Sequence, residues 1–421
     1  MKREYQKGLE KRSQNTSAAV CALGVALMAA TLAMATPAEA QKNYGPGVSD
    51  TEIKIGNIMP YSGPASSYGT IGKAEAAYFK KINDEGGVNG RKINFISYDD
   101  AYSPPKAIEQ ARKLVESDEV LLIFQSLGTP SNSAIQKYMN SRKVPQLFVG
   151  SGATKFGDPK NFPWTMGWQP TYQSEGRVMA RYILEKFPNS KIAVFWQNDD
   201  AGKDQVKGVR DGLGDKAKMI IADASYEVTD PTIDSQIVTL KNSGADTFIS
   251  LAAPKAAAQA IKKVAELGWK PHYFISSTAT SVGTVLKPAG LENAKGLISA
   301  AYIKDPTDPA SKDDAATKTW IAFMDKYFPD GDKLNSTNVY GYVTAQTMVQ
   351  ILKQCGNDLT RENVMKQAAN IKDFTLDMLI PGIKMNTGPN DFYPIEQMQL
   401  MRFDGEAWQL FGEILDGEVR D

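Results

Sequence analysis

The chain has 421 residues, and its 48 lysines and arginines balance 48 aspartates and glutamates, so the formal net charge is zero. The length suits two or three domains, 42% apolar residues argue against disorder, and the balanced charge gives no general attraction to nucleic acid or anionic membranes. One histidine and two cysteines, Cys21 and Cys355, are too few for a zinc site built from His and Cys or for a disulfide framework.

The first forty residues are typical of a secretory signal peptide. A basic start precedes an apolar stretch from Ala18 to Ala35, and small residues at 38 and 40 fit a cleavage site. An uncleaved membrane anchor is the alternative, because such a stretch lies at the short end of a spanning helix, although its many alanines lower its hydrophobicity. We therefore expect export with cleavage near Ala40–Gln41 and a soluble mature chain without a disulfide.

From Glu52 onward, short β-branched or aromatic runs alternate with longer amphipathic stretches, which predicts strands alternating with helices. Strands that are apolar on both faces, such as Val120–Phe124, are typical of a parallel sheet covered by helices. In this first series we predict strands at 53–58, 93–98, 120–124 and 146–149, and helices at 71–83, 105–117 and 131–142.

The same alternation returns after residue 169. We predict helices at 172–187, from about 204, at 233–242 and at 256–267, with strands at 191–196, 246–251 and 273–275. From Leu297 a strand leads into helical sequence at 314–328, 339–355 and 361–369, and 397–402 with 408–414 has the pattern of a hairpin. The sequence therefore predicts an α/β protein with two halves of like topology.

The loops that follow the predicted strands are rich in glycine and hydroxyl side chains. In open α/β sheets, ligands bind beyond the carboxyl ends of the strands, where the strand order reverses. Three such loops are Pro60–Gly69, Gln125–Asn132 and Gly150–Lys155. Backbone N–H groups, hydroxyls and helix starts suit a small anion such as a carboxylate. Ordinary turn and cap composition is the alternative, but the shared location of the loops favours binding.

The sequence lacks the patterns of common catalytic sites. No G-x-S-x-G, Walker A or H-E-x-x-H pattern occurs, and Gly150-Ser151-Gly152 lacks the third glycine and the acidic residue of a dinucleotide site. A triad would have to use His272, which has no neighbouring partner and which we interpret as a structural or surface residue.

Two pairs of adjacent carboxylates, Asp99-Asp100 and Asp199-Asp200, suggest metal or glycoside chemistry. Adjacent side chains in a strand point apart, so we interpret each pair as a turn or helix-start device. No basic patch is interleaved with aromatic residues. We therefore expect a protein that is not an enzyme and that uses no cofactor, metal or nucleic acid.

The order and spacing of several weak motifs over 50–415 resemble the periplasmic leucine/isoleucine/valine-type solute-binding proteins of ABC transporters. The motifs are Ile53-Lys54-Ile55-Gly56, Ser62-Gly63-Pro64, Tyr68-Gly69, residues 82–90 (INDEGGVNG), Tyr98-Asp99-Asp100-Ala101 with Pro104, Val144-Pro145, Gly152-Ala153-Thr154, Gln197-Asn198-Asp199-Asp200 before Gly202, Ala289-Gly290 and Gly296-Leu297.

The resemblance implies a two-lobed type I periplasmic binding protein fold. Each lobe would be a mostly parallel sheet flanked by helices, and three crossover strands would join the lobes, which close on one small molecule. On this basis residues 1–40 are the signal peptide, 41–166 with 302–398 form lobe 1, and 167–301 with 399–421 form lobe 2. The implied location is the periplasm, and the implied partners are ABC permease subunits in the inner membrane. We expect a monomer.

The resemblance also implies the ligand contacts. In the family, the first lobe clamps a carboxylate, and the matching positions here are Gly128, Thr129, Gly152, Ala153 and Thr154, with Tyr68 as the aromatic cover of the ligand side chain. The second lobe departs from the family. Thr278 stands where amino-acid binders have the acid that pairs with the ligand ammonium, Ala201 stands at an expected aromatic, and Ala253 lies in a loop of small residues.

An unpaired ammonium enclosed by the lobes would cost on the order of several kcal/mol, a large share of the roughly 8 kcal/mol of micromolar binding. We therefore predict a carboxylate ligand without an ammonium, such as a benzoate or cinnamate derivative or a branched organic acid. Branched-chain or other amino acids are the alternative, with Asp199 or Asp200 as the ammonium partner. A secreted α/β enzyme and a ligand-sensing regulatory domain are alternatives of other classes.

Overall fold

Two large sheets, beside a minor two-stranded one, organise residues 42–417, the part of the chain that this computed structural model describes. From Tyr44 onward the chain forms one compact unit. The predicted signal peptide and Cys21 lie outside the described residues, whereas Cys355 is buried and free. Within 42–417, no helix combines the length and the apolar character needed to cross a membrane.

The strands of three or more residues are numbered here in chain order. They are β1 Glu52–Met59, β2 Lys92–Asp99, β3 Leu122–Phe124, β4 Gln146–Val149, β5 Thr165–Gly167, β6 Ile192–Gln197, β7 Ile220–Tyr226, β8 Thr247–Leu251, β9 His272–Ile275, β10 Ile298–Ala301, β11 Gln397–Phe403 and β12 Trp408–Asp416.

The helices of eight or more residues are α1 Thr70–Asp84, α2 Pro104–Arg112, α3 Thr129–Ser141, α4 Tyr172–Lys186, α5 Asp200–Leu213, α6 Asp234–Asn242, α7 Pro254–Glu266, α8 Ala315–Tyr327, α9 Ser336–Cys355 and α10 Arg361–Ala368. Shorter helical turns are Ser66–Gly69, Lys113–Ser117, Thr154–Gly157, Gly214–Met219, Ser277–Ala279, Val282–Leu286, Lys287–Ala289, Leu291–Ala294 and Pro309–Ser311.

The first sheet has the strand order β2-β1-β3-β4-β5, and all its neighbours are parallel. The second has the order β12-β11-β10-β9-β8-β6-β7, in which only the hairpin strands β11 and β12 introduce antiparallel pairs. We call the first sheet with its helices the first lobe and the second sheet with its helices the second lobe. The chain passes between the sheets after β5, after β10 and before β11, while the exact lobe boundaries stay a prediction.

Buried strands explain the parallel sheets. In β1, the side chains of Ile53, Ile55, Ile58 and Met59 are fully buried although they point to both faces, because helices cover each face. In the first lobe, α9 packs on α1, and in the second, α4 packs on α5. These apolar layers hold the loops at the sheet edges in fixed positions.

The structure differs from the predicted elements mainly at their ends. Helix α5 begins at Asp200, not near 204, because the Asp199 carboxylate caps it by accepting from the backbone N–H of Ala201 and of Gly202. Strand β7 was not predicted, since its sequence, IIADASY, is only partly apolar and forms a half-exposed edge. The predicted helix at 105–117 changes at Lys113 into a π-turn.

Helices α4 and α5 approach each other so closely that glycine is required on both. A Cβ on Gly176 would lie 2.5 Å from the Val209 backbone nitrogen, and one on Gly208 would lie 2.4 Å from Gln173 Cα. Both distances are shorter than real Cβ contacts allow, so any side chain would push the helices apart. The two helices therefore pack backbone to backbone beneath the second sheet.

Helix α4 also carries a carboxylic acid into the interior of the second lobe. Glu175 is only 3% exposed, and its Oε1 accepts a 2.5 Å hydrogen bond from the Ser277 backbone N–H. Its Oε2 accepts a longer bond, 3.4 Å, from the Ser276 hydroxyl. Burial raises the pKa of Glu175 to about 7, because removal from water disfavours the carboxylate more than these bonds favour it.

Replacing Glu175 with glutamine is expected to remove a pH dependence of stability. Because the folded pKa of Glu175 lies above its ordinary 4.5, the native state holds a proton that the unfolded chain loses, and the free energy of unfolding falls as pH rises from about 4.5 to 7. The loss attributable to this group approaches about 3 kcal/mol. Denaturant unfolding at pH 5 and pH 8 measures it, and equal losses for wild type and Glu175→Gln would contradict the assignment.

Candidate functional site

The two sheets each contain a point where the strand order reverses. In the first sheet this point lies at β1, which has β2 on one side and β3 on the other, and in the second it lies at β6, between β7 and β8. Loops that leave the carboxyl ends of strands on either side of such a point diverge and leave a crevice. Residues that follow β1, β3 and β8 line one cavity, together with Gln197 at the end of β6 and Ala201 at the start of α5.

This cavity, called the cleft here, has a volume of about 110 Å³. Its size is comparable with that of a dry protein cavity of about 150 Å³ that binds benzene. Five tyrosines and three glutamines contribute to its walls, together with small and aliphatic residues. The tyrosines are Tyr68, Tyr102, Tyr172, Tyr302 and Tyr340, and the glutamines are Gln169, Gln197 and Gln205. The cleft therefore offers aromatic surface with neutral hydrogen-bonding groups.

Six of the nine ligand contacts predicted from the sequence line the cleft. They are Tyr68, Gly128 and Thr129 of the first lobe and Ala201, Ala253 and Thr278 of the second. The two lobes touch here, because the Tyr68 hydroxyl donates a 3.5 Å hydrogen bond to the Thr278 carbonyl. Their role as ligand contacts stays a prediction.

The other three predicted contacts, Gly152, Ala153 and Thr154, do not line the cleft. A Cβ on Gly152 would lie 2.7 Å from Tyr172 Cδ1, so the Tyr172 ring stands directly beside this glycine. Ala153 packs in a small buried cluster that also contains Tyr172 and Ala201. This loop therefore supports the cleft wall in the structure, and its contact with a ligand stays a prediction.

Thr154 instead joins the two lobes. Its backbone N–H and its hydroxyl each donate a 2.9 Å hydrogen bond to Asp204 Oδ2 on α5. The other oxygen of Asp204 accepts from the Gln173 side chain on α4. Next to this contact, Lys155 forms a 3.2 Å ion pair with Asp200. These bonds connect the loop after β4 with the second lobe.

Two helices begin at the cleft without a capping side chain. Within the described chain, no side-chain bond caps α3 after Gly128 or α7 after Ala253, and both helices carry proline in their first turn. The partial positive charge of such a helix start attracts anions. At α3 the Thr129 hydroxyl also lies 2.6 Å from the Ser151 hydroxyl. This corner of the first lobe is chemically suited to a carboxylate.

Neither predicted substitute for the ammonium partner is free in the structure. Asp199 uses Oδ1 to cap α5, and its Oδ2 accepts from the Gln197 side chain. Burial raises the pKa of Asp199. Asp200 is exposed and paired with Lys155. Both carboxylates therefore have partners within the protein.

The structure adds lining residues that the sequence analysis did not select. Tyr102 has a positive φ of 60°, its ring stands beside Gly128, and its hydroxyl accepts a 3.4 Å bond from Gln197 across the lobes. The signal for Tyr102 was present, because it lies in the loop after a predicted strand. Tyr172 and Gln205 lie on helices whose orientation depends on the α4–α5 packing, and the sequence alone gave no signal for them.

Of the described residues that line the cleft, only Lys304 and Asp305 carry charge. They follow β10, where the chain returns to the first lobe. The Lys304 ammonium pairs with Asp314, whereas Asp305 is 8% exposed and accepts at Oδ1 from the Thr307 backbone N–H and hydroxyl. Burial raises the pKa of Asp305 to about 6. No sequence motif marked this aspartate.

The residues that the sequence analysis weighed for catalysis, His272, Asp99 and Asp100, are not among the described residues that line the cleft. Among residues 42–417, no group of three or more His, Cys, Asp or Glu side chains has the arrangement to hold a metal ion. His272 is exposed at the start of β9, and its ring stacks on Phe187 at 3.7 Å between centroids. Asp99 and Asp100 accept from backbone N–H groups in the turn that follows β2.

Comparisons with known proteins agree with this geometry. A family model described as periplasmic binding protein matches residues 52–407. The Leu/Ile/Val-binding protein homolog 1 of Brucella abortus is 26% identical over 340 residues, which cover 79% of this chain and 87% of that protein. These matches confirm the predicted resemblance.

Solved structures share the fold. A branched chain amino acid ABC transporter protein from Thermus thermophilus with bound valine has a TM-score of 0.78 at 15% identity and covers 88% of this chain and 97% of its own. A fatty acid ABC transporter substrate-binding protein from Thermomonospora curvata has a TM-score of 0.75 at 22% identity, with coverages of 89% and 95%. The predicted two-lobed fold is thereby confirmed. Because the family model matches most of the chain, this protein belongs to the periplasmic binding protein family.

Proposed function

We propose that this protein is the solute receptor of an ABC importer, which closes its lobes around a small organic carboxylate and delivers it unchanged to a membrane permease. We further propose a monomer that works in the periplasm after removal of the predicted signal peptide. The observation that carries the ligand class is the uncapped start of α3 beside Thr129. Among the described residues that line the cleft, the single lysine, Lys304, is already paired with an aspartate.

A carboxylate fits this corner because helix N–H groups and hydroxyls compensate its charge without a counter-ion. The names of the similar proteins are consistent with this class. The Brucella protein is named for leucine, isoleucine and valine, the Thermus structure contains valine, and the Thermomonospora protein is titled for a fatty acid. All these ligands carry a carboxylate, whereas only the amino acids carry an ammonium.

The second lobe supports a ligand that lacks the α-ammonium group of an amino acid. Thr278 offers a hydroxyl and a carbonyl where an acid would be needed, and Ala201 and Ala253 leave space for an apolar body. Five tyrosines in the walls favour an aromatic body such as that of benzoate or cinnamate. Branched-chain amino acids remain the second candidate, because they are the ligands named for the Brucella relative.

The contacts between the lobes support closure as the binding mechanism. Tyr68 reaches Thr278, Gln197 reaches Tyr102, and Thr154 reaches Asp204. Such bonds form only when the lobes meet, so a ligand that bridges the lobes and these contacts stabilise the same closed state.

A thermal-shift screen tests the ligand class. We expect benzoate-type or cinnamate-type acids to raise the melting temperature by a few degrees, since a ligand at 100 times its Kd adds about 2.7 kcal/mol of stability. Benzyl alcohol is the control that lacks the carboxylate, and leucine and valine represent the second candidate. Stabilisation by leucine or valine with no response to the aromatic acids would contradict the assignment.

Filling the cleft is expected to abolish binding without unfolding the protein. Ala253→Phe places a ring in the cleft at a residue with an ordinary φ of −64°, and ligand affinity should fall more than a hundredfold because the ring occupies the ligand's space. Ala265→Phe, on an exposed turn of the same helix, is the matched control. Titration calorimetry measures both, and equal affinities would place the ligand elsewhere.

A double-mutant cycle tests how Thr154 contributes. Thr154→Val removes one hydrogen bond to the Asp204 carboxylate and should weaken ligand binding about tenfold, since bonds to charged groups contribute about 1.5–3 kcal/mol. If Thr154 acts through Asp204, the same change should have little effect in an Asp204→Ala background. An equal loss in both backgrounds would indicate that Thr154 contacts the ligand directly.

A further inference from the structure

One oxygen of Asp305 is buried at the cleft without a hydrogen-bond partner. Asp305 lines the cleft, and its Oδ1 is occupied by the backbone N–H and hydroxyl of Thr307. Its Oδ2 has almost no contact with solvent and no partner among the described residues. Buried polar atoms in native proteins are nearly always paired, so this oxygen requires an explanation.

The surrounding protein does not supply the missing partner. Lys304, the neighbouring cation, directs its ammonium to Asp314. Asp308, the nearest acid in sequence, uses its Oδ1 to accept from the Ala310 backbone N–H, and its charge works against ionisation of Asp305. Because Asp305 lines the cleft, a ligand bound there can supply the missing donor.

The backbone holds Asp305 in a fixed position. The Lys304 N–H donates to the Met378 carbonyl, and Ile303 pairs with Leu379, so this segment is tied to the first lobe directly after it leaves the second. The Thr307 hydroxyl that fixes Oδ1 also accepts from the Trp408 backbone N–H of the hairpin. Because this carboxylate is already fixed, it loses little further conformational entropy when a ligand binds.

We propose that Asp305 Oδ2 accepts a hydrogen bond from a donor group on the ligand, a hydroxyl or a protonated amine that the apolar body of the ligand separates from its carboxylate. This inference rests on the proposed function and deepens it, because it assigns the ligand two polar groups on one apolar body. The uncapped start of α3 receives the carboxylate, and Asp305 selects acids that also carry a donor.

Asp305 can distinguish acids that carry a hydrogen-bond donor from acids that lack one, for a physical reason in each case. A ligand with a suitably placed donor satisfies the buried oxygen, whereas a plain acid excludes water from the site and leaves that oxygen unpaired. Sites built to bond a ligand hydroxyl reject analogues without it far more strongly than apolar pockets reject an extra methylene.

Titration calorimetry on the wild-type protein provides the first test. The probes are benzoate, its 2-, 3- and 4-hydroxy derivatives, and 4-(aminomethyl)benzoate as the cationic donor. We expect at least one donor-bearing acid to bind about tenfold or more tightly than benzoate. Comparing the hydroxybenzoates with the amine shows whether the preferred donor is a hydroxyl or a protonated amine.

A pair of matched variants provides the second test. Asp305→Asn replaces the charged acceptor by an amide, and the preference for the donor-bearing acid over benzoate should fall to about twofold or less. Asp308→Asn makes the same change at the neighbouring buried acid, which does not line the cleft, and should keep the wild-type preference. Thermal melting confirms that both variants fold.

The outcomes separate this inference from the proposed function. Benzoate binding with no preference for any donor-bearing acid, or a preference that survives Asp305→Asn, overturns the role of Asp305 and leaves the carboxylate receptor intact. In that case a bound water is the partner of Oδ2. If none of the acids binds while leucine or valine does, the proposed ligand class fails, and the role of Asp305 fails with it.

Discussion

Closure of two lobes removes water from the space between them, and every charge in that space must then be compensated by the protein or by the ligand. Three acids of the second lobe that lie near the cleft, without lining it, have hydrogen-bond partners within the protein. Asp199 caps a helix, Asp204 accepts three hydrogen bonds, and Glu175 is bonded to two serines of one loop. By contrast, Asp305 Oδ2 is buried at the cleft without a hydrogen-bond partner. An exposed oxygen would be hydrated by water, but a buried one is costly unless something pairs with it.

The order of strands determines where this space lies. In each sheet the strand order reverses at one strand. The loops on either side of that strand bring glycine, hydroxyl and aromatic residues to the same edge of the sheet. The chain crosses between the sheets three times, and two of these crossings, at Gln169 and at 302–305, line the cleft. Residues far apart in sequence, such as Tyr68 and Thr278, meet only through this arrangement.

Much of the fold and part of the cleft could be predicted from the sequence, because both depend on local patterns. Apolar strands and amphipathic helices give the α/β alternation, and post-strand loops lead directly to Tyr68 and Thr129. Ala253 was selected through the family resemblance. Contacts that depend on tertiary packing could not be predicted. Thr154 donates a hydrogen bond to Asp204, which lies on a helix far along the chain. Asp305 lines the cleft because it lies in a segment that crosses between the sheets, and no local sequence pattern specifies the path of that segment.

The hairpin β11–β12 has a consequence for how the protein acquires its structure. It pairs with β10 in the second sheet, although the whole of the chain between residues 302 and 396 lies between these strands in sequence. Each lobe is therefore discontinuous in sequence, so that neither one can be excised as a single contiguous fragment. Contacts of such long sequence separation slow folding, because chain entropy must be lost before they form. The second sheet consequently stays incomplete until the hairpin has been synthesised and is free to pair with β10.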